Sequence, residues 1–373
     1  MMNKRIKKVM MVLGAVFLGL FIFTLLYVQL PMFGQLPQGK YQEKIEKSKN
    51  FRKGKFHNIE KTLMRPEDVS VGHMMLDFLF KGSKNKTPKK PLPTIKTDLK
   101  NLDLNEDILV WFGHSSAFIQ IDGKRFLIDP VLSKTASPIP FYVRAFKGTD
   151  IYDPEDMPNV DYVLITHDHY DHLDMKTIKK ISSKTGKFIC GLGVGAHLRR
   201  WGIDPAKITE LDWEESIRLG KEFKLSCLPA RHFSGRSLFP NRSLWVSFAV
   251  TTPTFSFYIS GDSGYGIHYK KIGETFKSFD LVLMDSGQYD NNWRYIHENP
   301  SEVIKATTEL NAKVLLPVHV GKFCISSHAW NEPLIKLSEE SKGKPFKLIT
   351  PMIGEKVRLK DGNQKFQKWW DKN

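Results

Sequence analysis

The sequence predicts an α/β chain: two stacked sheets flanked by helices, preceded by one N-terminal transmembrane helix. Three observations carry this expectation. An apolar run at 9–30 follows the cations Lys4, Arg5, Lys7 and Lys8. From residue 106 onward, short β-type apolar runs alternate with amphipathic stretches. Several of those runs end in a histidine or aspartate, and one leads into Thr166-His167-Asp168-His169-Tyr170-Asp171-His172.

The chain has 373 residues, room for a core of about 250 residues plus attachments. With 41% hydrophobic and 26% charged residues, it is neither collagen-like nor disordered. The net charge of +16 taken alone would ask for a polyanionic partner. Its distribution argues otherwise. Residues 1–100 hold 20 Lys+Arg and 7 Asp+Glu, while 101–373 hold 36 and 33. A nucleic-acid partner would want the basic face on the folded domain, so none is expected. Three cysteines, Cys190, Cys227 and Cys324, exclude a disulfide scaffold and leave the compartment unread. Cys190 and Cys227 fall inside strands and read as small buried apolar residues.

Taken in order, residues 1–8 are a basic flank and 9–30 the transmembrane anchor. As a helix those 22 residues would span about 33 Å, the thickness of a bilayer core. Tyr27 lies where an interfacial aromatic is favoured. The competing reading is a cleaved signal peptide, which has an apolar stretch of about 7–15 residues and a small-residue cleavage site. Leu25-Leu26-Tyr27-Val28-Gln29-Leu30-Pro31 offers no such site. Cations ahead of the span place the N-terminus in the cytoplasm and the rest outside, as a single-pass protein of the cell membrane.

Residues 31–105 read as a basic connector, either a solvated spacer or a polybasic segment near anionic head groups, with one short apolar helix at 71–80. Residues 106–360 form the globular domain. Strands are expected at 108–112, 117–121, 125–128, 162–165, 188–190, 223–228, 244–250, 255–260, 281–284 and 314–318. Asp122-Gly123 makes a hairpin turn. Helices are expected at 175–181, 194–201, 301–310 and 333–341, with Pro300 at a helix start. Residues 361–373 are a tail whose Trp369-Trp370 pair either touches lipid or packs on the domain.

Four candidate ligands, His167, His169, Asp171 and His172, occupy six residues. At a strand end His167 and His169 point the same way, and Asp171 and His172 begin the next turn and face a second point. Imidazole and carboxylate suit Zn²⁺. Downstream, His232, Asp262 and His319 each follow a β-run.

This pattern resembles the metallo-β-lactamase superfamily. Trp111-Phe112-Gly113-His114-Ser115-Ser116-Ala117, Leu127-Ile128-Asp129-Pro130, the His167–Asp174 cluster, Ile259-Ser260-Gly261-Asp262-Ser263, His297-Glu298-Asn299-Pro300-Ser301-Glu302 and Pro317-Val318-His319-Val320-Gly321-Lys322-Phe323 resemble the N-acylphosphatidylethanolamine-hydrolysing phospholipase D family and its bacterial relatives. The likeness covers residues 106–355 and a short connector at 33–58. It implies an αβ/βα sandwich and two zinc ions: one on His167, His169 and His232, the other on Asp171, His172 and His319, with Asp262 bridging. It also implies that Tyr170 and His297 line the region holding the phosphate and glycerol of a phospholipid. The chain departs from the family at Val320, where Trp is usual, and at Ser301-Glu302-Val303, where Glu-Glu-Ala is usual.

Two such cations about 3.5–4 Å apart lower the pKa of a shared water and clamp a phosphoryl group. Asp171 would orient that bridging hydroxide and take its proton, and His297 would donate to a phosphoryl oxygen or the leaving alkoxide, unless His297 is only a structural histidine ahead of Pro300. The expected activity is a phosphodiesterase acting on N-acylphosphatidylethanolamine or related phospholipids. The alternatives are a lactonase or an ester or amide hydrolase on the same site, or a non-enzymatic membrane-tethered metal binder.

Weaker signals are weighed as follows. Gly191-Leu192-Gly193-Val194-Gly195 imitates a dinucleotide fingerprint but has the wrong spacing and reads as a strand–helix turn. His114 either approaches the site or stabilises a turn. His328 and Trp330 could form a rim; Ser234-Gly235 is either part of a flexible pocket loop or, as preferred, an ordinary turn.

Overall fold

A computed structural model describes residues 4–65, 67, 70, 72, 85–139, 141–236 and 238–372; the apolar helix expected at 71–80 falls outside them apart from Gly72. Helix α1 (Lys4–Tyr27) is about 36 Å long, is exposed from residue 4 to 26, and is long and apolar enough to cross a membrane. It takes in the basic flank and stops earlier than the expected 30. The residue before a proline is driven out of the helical region, and Leu30 accordingly sits at φ −58°, ψ 146° ahead of Pro31.

The segment after α1 is not a spacer in its described part. Trp201 Nε1 donates to Pro31 O (2.7 Å), and Arg236 Nε to Met32 O (2.9 Å). Helix α2 (Lys40–Glu46) buries Ile45, and the two-residue strands β1 (Phe51–Arg52) and β2 (Lys55–Phe56) pair as a hairpin that buries Phe56 in the main core. Further on, Leu92, Leu99 and Leu102 are buried. Lysines between these apolar residues make the segment look solvated in sequence. In the fold it is a strap whose cations face water.

Two seven-stranded sheets follow among the described residues. The first holds β3 (Ile108–Trp111), β4 (Ala117–Ile121), β5 (Lys124–Ile128), β6 (Val160–Ile165), β7 (Thr185–Gly191) and β8 (Ile208–Leu211) in chain order, with β16 (Lys356–Arg358) outside β3. The second runs from β9 (Ser216–Arg218) through β10 (Lys224–Leu228), β11 (Ser247–Thr251), β12 (Ser256–Ile259), β13 (Leu281–Asp285) and β14 (Val314–Val318) to β15 (Lys347–Leu348). Both begin with antiparallel pairs and change to parallel ones, at β5–β6 and at β12–β13. Period-two alternation sorts the side chains. In β4, Ile119 and Ile121 enter the core between the sheets, and Phe118 points to the outer layer.

Helices α3 (Met175–Ile181) and α4 (Gly195–Arg200) cover the first sheet, contributing Ile178, Ile181 and Leu198. Helices α5 (His268–Phe276), α6 (Pro300–Glu309) and α7 (Glu332–Glu340) cover the second, with Ile272, Val303 and Leu337. Helix α6 opens on a reciprocal cap: Asn299 accepts from the amides of Ser301 and Glu302, and the Glu302 side chain accepts from Asn299 N. Its Ser301-Glu302-Val303 sequence thus serves helix initiation.

Elements missed in the sequence are α2, the β1–β2 hairpin, the short edge strands and α5. Strand β9 holds only Ile217 as an apolar residue, too little for a periodic signal. The strand expected at 244–250 starts at Ser247, because Leu244 N and Val246 N instead donate to Leu192 O and Thr166 O of the first sheet's loops. The glycine-rich turn at 191–195 closes on Glu210 Oε1, which accepts from Gly193 N and Gly195 N. Trp369 and Trp370 are 2% and 1% exposed, and Trp369 packs against Trp111 and Trp330 with ring centroids 6.1 and 6.3 Å apart. The pair is therefore core, and so is Trp330. Trp369→Ala is expected to destabilise the fold by about 3–5 kcal/mol, read by chemical unfolding. Unchanged stability with reduced vesicle binding would instead make the pair a lipid contact.

Candidate metal centre

Each sheet delivers its candidate ligands from one edge. His167, His169, Asp171 and His172 follow β6; His232 follows β10; Asp262 follows β12; and His319 follows β14. His114, from the β3–β4 turn, joins them. Its N–H donates to Val320 O (2.8 Å), and His319 N donates to His114 O (3.0 Å), so the two sheets are bridged at the site itself. His114, Asp129 and His319 all have positive φ (53°, 38° and 63°), a strained state for residues other than glycine that persists only where the surroundings over-determine it. Val320 sits within this bridge and is buried.

The donor atoms gather into groups, each with its atoms within 4.8 Å of one another: His114, Asp171, His172 and His319; His167, His169, His232 and Asp262; and Asp262, Asp285, His297 and His319. The two triads expected from sequence are thus brought together as separate neighbouring groups. Asp262 lies between them. Its Oδ2 is 3.7 Å from both His167 Nε2 and His232 Nε2, and its Oδ1 is 3.1 Å from both His172 Nε2 and His319 Nδ1.

These residues fit metal ions better than they fit each other. His172 Nε2 and Asp262 Oδ1 are buried, and neither makes a hydrogen bond, which is costly unless a further partner completes them. The backs of the rings are fixed. His172 Nδ1 donates to Asp129 Oδ2 (2.8 Å), and His232 Nδ1 to Ile296 O (2.9 Å). That tautomer leaves each Nε2 lone pair turned to the site, the arrangement found behind metal-bound histidines. Burial and neighbouring imidazoles push His167, His232 and His319 well below the usual histidine range, and burial takes His169 down to about 4. They remain neutral, as ligands must. Burial raises the Asp262 pKa above the usual carboxylate range. His172 moves up: burial opposes its charge, but Asp262 and Asp171 outweigh burial. In Asp171, burial is outweighed by His172 and His114, and its pKa falls.

Asp168, between two candidate ligands, is fully committed elsewhere. It accepts from Gly235 N (3.0 Å), Ser243 Oγ (2.8 Å) and His197 Nε2 (3.3 Å). His197 Nδ1 in turn accepts from Gln35 N (3.0 Å) of the strap. Gly34, at φ +70°, leaves no room for a Cβ against the His197 ring. Buried Arg236 donates to the carbonyls of Asp168, Leu173 and Met32. Asn58 brackets His232 from both sides, accepting from its N (3.1 Å) and donating to its O (2.8 Å).

A cleft of about 270 Å³ opens over the donors, walled by Pro138, Tyr142, Tyr170, Phe233, Trp293 and Ile325. Tyr170 and His297 both line it. The Tyr170 hydroxyl donates to Arg236 O (2.9 Å), so the ring is what it offers the cleft. His297 Nδ1 meets Asp285 Oδ2 at 2.7 Å; that carboxylate, against the opposing effect of burial, raises the His297 pKa. His328 is part of the cleft's support, accepting from Gln288 N (2.9 Å). Of the residues missed in sequence, Asp129 lay within the Leu127–Pro130 likeness, but nothing distinguished it from a turn aspartate. Asp285 carried the same signal as the ligands, a carboxylate at the end of the β-run at 281–284, and went unread; Arg236 carried none of its own. Asp129→Ala is expected to weaken metal uptake about 10–100-fold, measured by competition with a chromophoric chelator. Undiminished affinity would show that His172 is oriented by something else.

A beta-lactamase superfamily domain matches residues 124–320. An uncharacterised protein of Mycobacterium tuberculosis strain H37Rv is 35% identical over 339 residues, covering 87% of this chain and 88% of its own. The N-acyl-phosphatidylethanolamine-hydrolyzing phospholipase D 1 of Caenorhabditis elegans is 33% identical over 247 residues, 61% of this chain and 68% of that one. A possible metal-dependent hydrolase from Veillonella parvula shares the fold, with a TM-score of 0.56 at 15% identity over 68% of this chain and 99% of its own. The matched region begins at β5 and ends just past His319, enclosing every donor but His114, and on these grounds the chain belongs to the beta-lactamase superfamily as a metal-dependent hydrolase of the metallo-β-lactamase fold.

Proposed function

We propose that the protein is a membrane-anchored phosphodiesterase of the phospholipase D type, acting on N-acylphosphatidylethanolamine or related phospholipids with two Zn²⁺ per chain. The observation that carries this reading is Asp262 standing between two imidazole groups at the floor of a cleft with aromatic walls. The first ion would be held by His167, His169 and His232, and the second by Asp171, His172 and His319, with Asp262 shared. Bound there, the ions would supply Lewis acidity to a phosphoryl oxygen and acidify a water. The nematode relative is named for this phospholipid substrate.

The chain's own groups divide the remaining work. Asp171, held through Oδ2 by His114 Nε2 (2.8 Å), keeps lone pairs with which to accept a proton from the attacking water. His297, held at Nδ1 by Asp285, would in its imidazolium form, which that carboxylate favours, carry a proton on Nε2 to donate to the phosphoryl oxygen or the leaving alkoxide. Tyr170, Phe233 and Trp293 exclude water and present apolar surface to an acyl or glycerol group. Helix α1 would cross the cell membrane once, its cations in the cytoplasm and the hydrolase domain outside.

The test uses the full chain in detergent, assayed for metal content and for turnover of N-acylphosphatidylethanolamine beside a lactone panel. Two zinc ions per chain and release of phosphatidic acid are expected; turnover of lactones alone would overturn the lipid reading. Asp262→Ala should lose bound metal and at least 100-fold in rate, and an Asp262→Ala variant of full activity would remove that residue from the ligand set.

A further inference from the structure

The cleft lies at the end of α1. Tyr27 Oη donates to Pro138 O (2.9 Å), and Pro138 forms part of the cleft wall. A ladder of rings continues from the helix into the site. Phe23 stacks on Tyr27 (5.7 Å), Tyr27 meets Phe33 edge-on (5.4 Å), and Phe33 meets Tyr170 edge-on (6.2 Å).

Pro138 belongs to a finger. Thr135 and Arg144 pair as an antiparallel bridge, Ala136 N donates to Val143 O, and Ala145 N donates to Lys134 O. The described tip residues Ile139, Phe141 and Tyr142 are 40%, 80% and 46% exposed. An exposed Phe and Ile on one tip, with two exposed cations at its base, Arg144 and Lys134, the latter paired with Asp150 at 3.4 Å, is an uncommon arrangement for a surface in water, where apolar side chains are normally scattered.

We infer that this finger is a membrane-docking element. Its tip enters the outer part of the same leaflet in which α1 ends, Lys134 and Arg144 meet the head groups, and the cleft is pressed open-side down on the bilayer. The inference rests on the membrane-anchored reading of α1. It commits to a lipid leaflet as the occupant because the finger is bonded to the end of the one described helix that can span a bilayer. A terminal tyrosine of such a helix sits at the interface, so a tip attached at Tyr27 is already at interfacial depth. A lipid whose head group slides along the Phe23–Tyr27–Phe33–Tyr170 ladder reaches the metal groups without leaving the apolar phase entirely, because its acyl chains remain in the leaflet.

Depth and catalysis test this separately. Phe141→Trp in the full chain, reconstituted in phosphatidylethanolamine–phosphatidylglycerol vesicles with brominated acyl chains, should be quenched beyond the signal of the eight native tryptophans and shielded from aqueous iodide. Phe141→Asp together with Ile139→Asp should raise KM for vesicle-borne N-acylphosphatidylethanolamine about tenfold or more, leaving turnover of water-soluble bis(p-nitrophenyl) phosphate and the melting temperature unchanged. Iodide quenching without bromolipid quenching overturns the docking element. So does quenching by neither, which would mean a second copy covers the tip. Equal loss on both substrates overturns it as well. If the wild type turns over neither phosphodiester, the functional reading fails, while the quenching data still decide the finger.

Discussion

Imidazole and carboxylate donors from seven segments of chain stand within a few ångströms of one another at the floor of a cleft, all but His169 buried, and every one of them would be better solvated outside. Most of the architecture nearby serves to hold that arrangement. Asp129 and the Ile296 carbonyl fix two rings from behind, Asp285 fixes a third, and the His114–Val320 bridge ties one sheet to the other. The strained backbone at His114, Asp129 and His319 is local energy spent on geometry and offset by the extensive apolar core beneath.

How much of this is legible in the sequence depends on the range of the signal. The seven candidate ligands are legible because four lie within six residues and the others each follow a β-run, a pattern that needs no knowledge of the fold. The sandwich is legible because its central strands are buried on both faces and read as continuous apolar runs. Strands such as Ser216–Arg218 at the sheet's edge are not, since they are held by pairing rather than by side-chain burial. Arg236 acts through carbonyls 63 or more residues away in sequence, and only the three-dimensional arrangement distinguishes it from an ordinary surface charge.

The strap is the clearest divergence between composition and structure. Its lysines suggest solvent, and they are indeed largely exposed, but Ile45, Phe56, Asn58 and the Gln35 amide are placed for the domain. Two of these contacts end at the metal centre, one on His232 and one on Asp168 through His197. The segment therefore works as a part of the site that happens to be encoded ahead of the domain.

Timing follows from that placement. Asn58 completes its bonds only with His232 and Trp245, which lie 174 and 187 residues later in the chain. At about 5–20 residues per second, the strap is made roughly 10–40 s before its partners exist. Throughout that interval its apolar residues have no core to enter, and a lysine-rich composition keeps such a waiting segment soluble. The charge that first looked like a clue to a partner is, on this view, what lets the N-terminal segment outlast its own synthesis and dock last.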